Sequence, residues 1–305
     1  MDFKAMSAGT AIDAQQQTKG TGPPREAGTA FGYPRDFLDN RYVYAVISPR
    51  ARGLSVGINM NPDKFCNFDC AYCEVDRKER TRERHVNLRA MAAELERTLK
   101  FVHSGQIREH PHYRGVPPEL LRLQHVCLSG DGEPTLCPNF ASAVETVIHV
   151  RARGRFPWFK LVLVTNASGL DRPGVEQGLS LFTSSDEVWA KLEAGTQDYM
   201  QRVNKPDCSI DDILAKILRL ARKRSVIIQS LFPAINGEAP PPQEIEAYVQ
   251  RLKELKDAGA QIPLVQIYSA TRPTPHSECG HLPLRTLSTI ARRVREVAGL
   301  KAEVF

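Results

Sequence analysis

The sequence predicts an α/β fold in which parallel strands are backed by helices and the chemistry gathers at one end of the strands. Three observations predict it. Short β-branched, apolar runs alternate with longer amphipathic ones, the connections between them are long enough for helical crossovers, and one loop after an early strand holds three cysteines.

Taken in order, residues 1–35 are dominated by Gly, Pro, Gln, Ser, Thr and Ala and keep no apolar period, so a mobile leader is expected ahead of one domain over 36–305. Apolar and aromatic residues over 42–47 predict a strand, 48–53 a turn, and 54–60 a second strand that delivers the chain into the cysteine loop at 66–73. Met91, Leu95, Leu99 and Val102 fall at helical spacing within a helix expected over 88–102. Strands follow over 125–129, 161–165, 188–192, 226–230 and 264–268. They alternate with helices over 140–153, 174–182, 210–224, 242–258 and 284–297. Counting the strand before the cysteines, six parallel strands suit an open barrel. A closed eight-stranded barrel needs two more strand-helix units, and no G-x-G-x-x-G opens a first helix as a dinucleotide-binding sheet requires. Periodicity by itself leaves barrel and open sheet undecided.

Composition narrows the class. The 305 residues are 42% hydrophobic and 25% charged, as in ordinary globular chains, and no apolar run reaches the length of a membrane span. The N-terminal stretch lacks the apolar core of a signal peptide, so a cytoplasmic protein without membrane association is expected. Seven cysteines, odd in number and unpaired in pattern outside the loop, argue against a secreted disulfide framework. A net charge of +6 does not by itself demand nucleic acid. Arg77, Lys78, Arg80, Arg82 and Arg84 crowd after the loop, interrupted by Glu79 and Glu83; the run reads either as a solvated face or as a patch for a phosphate-bearing substrate or an acidic electron donor.

The loop Cys66-Asn67-Phe68-Asp69-Cys70-Ala71-Tyr72-Cys73 is too tight for three disulfide partners and too crowded for three idle thiols. Three thiolates suit a cubane of four irons better than a structural zinc, which needs a fourth ligand, and they leave one iron open. A zinc knuckle completed by a distant His or Cys and a chance cluster of buried cysteines are the alternatives. With an aromatic residue, Tyr72, before the third cysteine, this spacing resembles the signature of the radical S-adenosylmethionine superfamily. The resemblance implies a partial (β/α)6 barrel of parallel strands with outer helices, and a 4Fe-4S cluster held by Cys66, Cys70 and Cys73. It further implies that the open iron chelates S-adenosylmethionine, which one electron cleaves to a 5'-deoxyadenosyl radical.

Chemistry in parallel α/β folds gathers where strands finish. Ser129-Gly130-Asp131-Gly132-Glu133 resembles the superfamily's G-G-E motif, which binds the amino group of S-adenosylmethionine, with Asp131 as a departure; read alone it is a tight turn. Tyr72 and Asn166, the latter past an apolar strand and equally a helix cap, are candidate cofactor contacts. Alternation puts Lys191 and Glu193 on one face, either as a structural ion pair or as a clamp on ribose hydroxyls. Gln229, Tyr268 and Ser269 are candidate adenine contacts, Gln266 and Arg272 candidate substrate contacts, with Arg272 as an anion anchor between stiffening prolines. His276, Cys279 and His281 read as a cap over the barrel mouth or as a second metal site; Cys127 reads as core, and Cys137 and Cys208 as isolated loop thiols.

The stretch from Arg50 to Asp76, Lys191-Leu192-Glu193-Ala194-Gly195 and Asn204-Lys205-Pro206 resemble the wyosine-type tRNA-modifying branch of the superfamily, over roughly residues 40–305. Members of that branch carry further cysteines ahead of the main motif, and no cysteine precedes Cys66 here. The expected substrate is therefore a small molecule or one not yet assigned. Modification of tRNA and a non-catalytic zinc- or cluster-binding protein are the alternatives. An external reductant of flavodoxin or ferredoxin type is expected as partner.

Overall fold

A computed structural model describes residues 30–31, 37–78, 81–272, 274 and 276–305. The leader expected over 1–35 lies outside the described residues except at Ala30 and Phe31; Ala30 is buried, and its carbonyl accepts from Ile47 N–H at 2.7 Å.

An antiparallel hairpin of β1 (Val43–Ser48) and β2 (Gly53–Asn59) opens the described domain. After the cysteine loop come α1 (Leu88–His103), β3 (Leu123–Ser129), α2 (Phe140–Ala152), β4 (Lys160–Thr165), α3 (Pro173–Ser180) and β5 (Glu187–Lys191). Then follow α4 (Gln197–Val203), α5 (Ile210–Ala221), β6 (Val226–Leu231), the short β7 (Ala234–Ile235), α6 (Pro242–Asp257) and β8 (Val265–Tyr268). The chain closes with β9 (Cys279–Gly280), α7 (Leu284–Arg293) and β10 (Ala302–Val304). One eight-stranded sheet runs β1-β2-β3-β4-β5-β6-β8-β10, parallel from β2 onward, and curls into a partial barrel; β7 and β9 pair separately. Among the described residues no helix is long and apolar enough to cross a membrane.

Local chemistry sets the helix starts. Asn87 caps α1 by accepting from Ala90 N–H at 3.0 Å, and Ser209 caps α5 through Asp212 N–H at 3.1 Å. In α1, Met91, Leu95, Leu99 and Val102 are buried at the spacing read from sequence, and Glu94 reaches back to accept from the N–H groups of Tyr42 and Val43 at 2.8 and 3.1 Å.

The strand register sorts side chains onto two unlike faces. Outward, Val56, Ile58, Val126, Leu128, Leu161, Leu163, Val188, Val226, Ile228, Val265 and Ile267 make a dry layer under the helices. Inward, Ser55 lies beside His125 and Gly57 beside Cys127, while Lys191 and Gln229 pair in register and Gln229 stands next to Gln266. The lumen is thus polar, apart from a small apolar patch of Cys127, Val162 and Trp189. Tyr44 and Gly57 are register partners, and a Cβ at position 57 would lie 2.1 Å from the tyrosine ring; glycine lets that ring lie flat across the inner face. At the base, Arg52 in the β1–β2 turn pairs with Glu303 of β10 at 2.8 Å, joining the two ends of the sheet.

Three features differ from the sequence reading. A seventh parallel strand, β10, was too short to register as a periodic run. α4, seven residues between Thr196 and Asn204, lay inside what read as connection. The last helix ends at Arg293 and passes into a π turn over Val294–Ala298, which Gly299 stops at φ 61°.

Candidate active site

The cysteine loop sits at the carboxyl ends of the strands and is held by three neighbouring segments. Phe65 O accepts from Glu133 N–H at 3.1 Å after β3. Past α4, Asn204 O and Val203 O accept from Asp69 and Ala71 N–H at 3.0 and 2.8 Å. From the loop after β8, Thr274 Oγ1 donates toward the carbonyls of Ala71 and Cys73, at 3.1 and 3.3 Å. Phe68 and Ala71 are buried, whereas Cys66, Cys70 and Cys73 are half-buried.

Each of the three sulfurs faces a donor. Phe68 N–H points at Cys66 Sγ (3.5 Å), Asn204 Nδ2 at Cys70 Sγ (3.5 Å) and Arg77 Nη1 at Cys73 Sγ (3.0 Å). Burial pushes the Cys66 thiol up to about 11, with Glu133 adding to it, and the Cys70 thiol up to about 12, with Glu193 adding to it. As free thiols these groups keep their protons; as thiolates they need positive charge brought to them. Among the described residues no three His, Cys, Asp or Glu side chains converge as ligands of one metal ion, neither the loop thiols nor His276, Cys279 and His281. A cubane asks for something else, one thiolate on each of three irons with hydrogen bonds to sulfur, and the donors at all three sulfurs fit that demand.

Beside the loop, Lys191 and Glu193 form one network with Tyr72. Lys191 Nζ donates to Glu193 Oε1 at 2.8 Å and to Tyr72 OH at 2.9 Å, and lies 4.6 Å from the Tyr72 ring centroid. Tyr72 OH donates to Glu193 Oε2, which also accepts from Asn204 Nδ2 at 2.6 Å. Burial raises the Tyr72 hydroxyl well above its ordinary range, and the Cys70 and Glu193 charges add to it. Burial opposes charge on Lys191, but Glu193 outweighs it and holds the ammonium protonated. The ion pair read from alternation therefore exists, tied to the cysteine loop through the residue before Cys73.

After β3, the Gly130–Glu133 turn packs directly on the loop. Asn59 at the end of β2 organises it: Asn59 Oδ1 accepts from Asp131 N–H (3.0 Å) and Nδ2 donates to Asp131 Oδ2 (3.0 Å). Glu133, 3% exposed, is engaged within the protein. Its carboxylate accepts from Thr135 N–H (3.1 Å), Thr135 Oγ1 (2.7 Å), Thr165 Oγ1 and Asn166 N–H (2.7 Å), so it shapes the turn and the end of β4. Asn166 in turn donates to Asn67 Oδ1 inside the cysteine loop at 3.1 Å. A Cβ on Gly132 would lie 1.9 Å from Phe65 O, one residue before Cys66. Gly132→Ala is expected to push that carbonyl away, costing about 1–3 kcal/mol of stability in urea unfolding; unchanged stability would show that the turn does not pack tightly on the loop.

The last two long strands supply the far wall. Gln229 Nε2 donates to Gln266 Oε1 at 2.9 Å, both buried. Ser269 differs from its expected role: its hydroxyl donates to Phe232 O (2.7 Å) and accepts from Leu282 N–H (2.8 Å), tying the loop ends together. Arg272 pairs with Glu74, just past Cys73, at 3.2 Å. With Thr274, His276, Cys279 and His281 it lines a cavity of about 490 Å³ over the mouth, where a cap was expected. Tyr268 lies under the Arg50 guanidinium, 4.1 Å from its ring centroid. Cys127 is buried in β3 as expected, whereas Cys137 is also buried, in a turn where its sulfur meets Asn139.

Sequence reasoning missed Asn59, Asn204 and Arg50 as site residues. The strand-end rule applied to β2 would have found Asn59. Asn204 stands in the sequence only as part of Asn204-Lys205-Pro206, because α4, which it caps, is too short to show a period. Arg77 was one of a basic run, and only the fold singles it out.

No protein-family model matches the chain. A UPF0026 protein of Synechocystis sp. is 29% identical over 171 residues, 55% of this chain and 54% of that protein. The chain spans about half the length of the curated relatives it matches. Among solved structures, Streptococcus suis SuiB bound to S-adenosylmethionine superposes with a TM-score of 0.55 at 14% identity, over 80% of this chain and 49% of that one. TYW1 with a lysine-pyruvate adduct bound superposes at 0.52 and 14% identity, over 87% and 85%. The likeness to both is one of fold.

Proposed function

We propose that this chain is a radical S-adenosylmethionine enzyme acting on a small-molecule substrate. The observation that carries the proposal is the cysteine loop itself: three thiols at the carboxyl ends of a partial barrel, each facing an N–H donor, beside an interior lined with polar groups. The same fold in SuiB, solved with S-adenosylmethionine, supports it.

Cys66, Cys70 and Cys73 would hold a 4Fe-4S cluster. When bound, such a cluster supplies an open iron and one electron that together split the sulfonium of S-adenosylmethionine to a 5'-deoxyadenosyl radical. The chain's own residues have narrower tasks. Arg77, Asn204 and the Phe68 amide offset thiolate charge. The backbone of Gly130–Gly132 would meet the cofactor's amino group, with Glu133 shaping the turn. Tyr72, Lys191 and Glu193 would orient the ribose, and Lys191 stays protonated beside it. Gln229, Gln266 and Tyr268 would frame the substrate, and the loop of Arg272 and Thr274 would cover the mouth and exclude water. An external flavodoxin- or ferredoxin-type protein would deliver the electron.

Anaerobic reconstitution tests this. Protein loaded with iron and sulfide is expected to approach four irons per chain and, with a low-potential reductant, to release 5'-deoxyadenosine from S-adenosylmethionine. Zinc in place of iron, or no 5'-deoxyadenosine, overturns it. A tRNA substrate would instead reveal itself as tRNA binding that weakens steeply with salt.

A further inference from the structure

Among the described residues, the guanidinium of Arg50 stands at the lumen without a counter-charge. Arg50 rises from the β1–β2 turn at the base of the barrel and lies 4.1 Å from the ring centroid of Tyr268. Its position inside is also marked by its neighbours. Burial pushes His125 down to about 3, with the charges of Lys160 and Arg50 adding to it, and Arg50 tempers the rise that burial imposes on Cys127.

An arginine offers five N–H donors and never gives up its charge. Tyr268 offers a ring face, which attracts the cation but accepts no in-plane hydrogen bond. Among the described residues Arg50 has no hydrogen bond or ion pair, and its Nε is buried without a partner. The described carboxylates of the inner face are already engaged. Glu187 binds Lys160 at 2.6 Å and Trp189 Nε1 at 2.7 Å; Glu193 binds Lys191 and Asn204. Glu303 binds Arg52 and Lys301, both at 2.8 Å, and Asp131 binds Asn59 at 3.0 Å. Arg50 is half-buried, with its Nε shut off from water and unpartnered, so a ligand that reached the guanidinium would supply the hydrogen bonds the chain does not.

We infer that Arg50, which leaves the β1–β2 turn and is steadied on Tyr268, is an anchor for an oxyanion group of the substrate, a carboxylate or a phosphate. The inference rests on the proposed function for its word substrate, but the site is defined by this chain's residues alone. A fork of N–H donors fixes a planar or tetrahedral oxyanion in direction as well as place. It would therefore set which carbon of a small acid or phosphate ester faces the cluster loop.

Phenylglyoxal modification of reconstituted wild-type protein, mapped by peptide mass spectrometry, tests this in two arms, with inorganic phosphate and with acetate as probes. Either probe at ten times its Kd is expected to slow modification of Arg50 about tenfold, with Arg114 and Arg122 on the outer surface unchanged. Protection by phosphate only identifies a phosphorylated substrate, and protection by acetate identifies a carboxylic acid. Equal rates at Arg50 with and without both probes overturn the inference. As a second measurement, phosphate or acetate should raise the Tm of wild type but not of Arg50→Gln; equal shifts in the two proteins count against it. Neither readout depends on cofactor cleavage, so the inference can fail while the proposed function stands, and the reverse.

Discussion

Alanine at any one of Cys66, Cys70 or Cys73 is expected to abolish cleavage of S-adenosylmethionine, with 5'-deoxyadenosine falling to the no-protein background. The reason is that no other thiol can substitute. Cys127 is buried on β3 and packs with Val162 and Trp189, and Cys137 is buried with its sulfur on Asn139. Cys208 lies in the loop before α5 and Cys279 in β9, and among the described residues neither joins a group of three metal ligands. Each variant should also lose the broad iron-sulfur absorbance and most of its iron. The matched control is Cys137→Ala, a thiol outside the loop, which should keep both. A single loop variant that cleaves S-adenosylmethionine at the parent rate sinks the proposed function.

Glu193→Ala is expected to cost about 3–5 kcal/mol in urea unfolding, the range for removing one partner of a buried pair. The Glu193 side chain is 2% exposed and that of Lys191 23%, so solvent cannot take over the lost interaction as it does at a surface pair. The variant leaves an ammonium facing Tyr72 and strips Asn204 of its carboxylate partner, and Asn204 also holds the cysteine loop. Converting both residues, Lys191→Met with Glu193→Gln, should recover a large part of the stability, because no buried charge is then stranded. A cost below about 1 kcal/mol for Glu193→Ala, the range of exposed pairs, would mean that the three side chains do not act as one buried unit.

Much of this is legible in the amino-acid sequence. The strands announced themselves because a parallel strand covered on its outer face by helices must be apolar there, as Val126, Leu161, Leu163 and Ile228 are. The cysteine loop was legible because three thiols at that spacing have few alternatives. What was hidden depends on contacts distant in sequence. Glu133 looked like a ligand because acidic residues at strand ends often are; only the fold shows Thr135, Thr165 and Asn166 closing around it. Ser269 looked free and is used to join two loops. Arg50 looked like a turn residue, since nothing local says that a side chain leaving a hairpin at the base will run up the inside and stop on Tyr268. β10 was invisible because three residues carry no period, and their strand character comes from the neighbouring backbone of Val265–Ile267.

The cysteine loop owes its shape to Asn204, Val203, Thr274 and Glu133, partners contributed by polypeptide. Oxygen that destroyed an inorganic centre there would leave those anchors standing. With the proposed centre gone, the loop would then keep its form, and reloading would recharge a receptacle already in place rather than refold a protein.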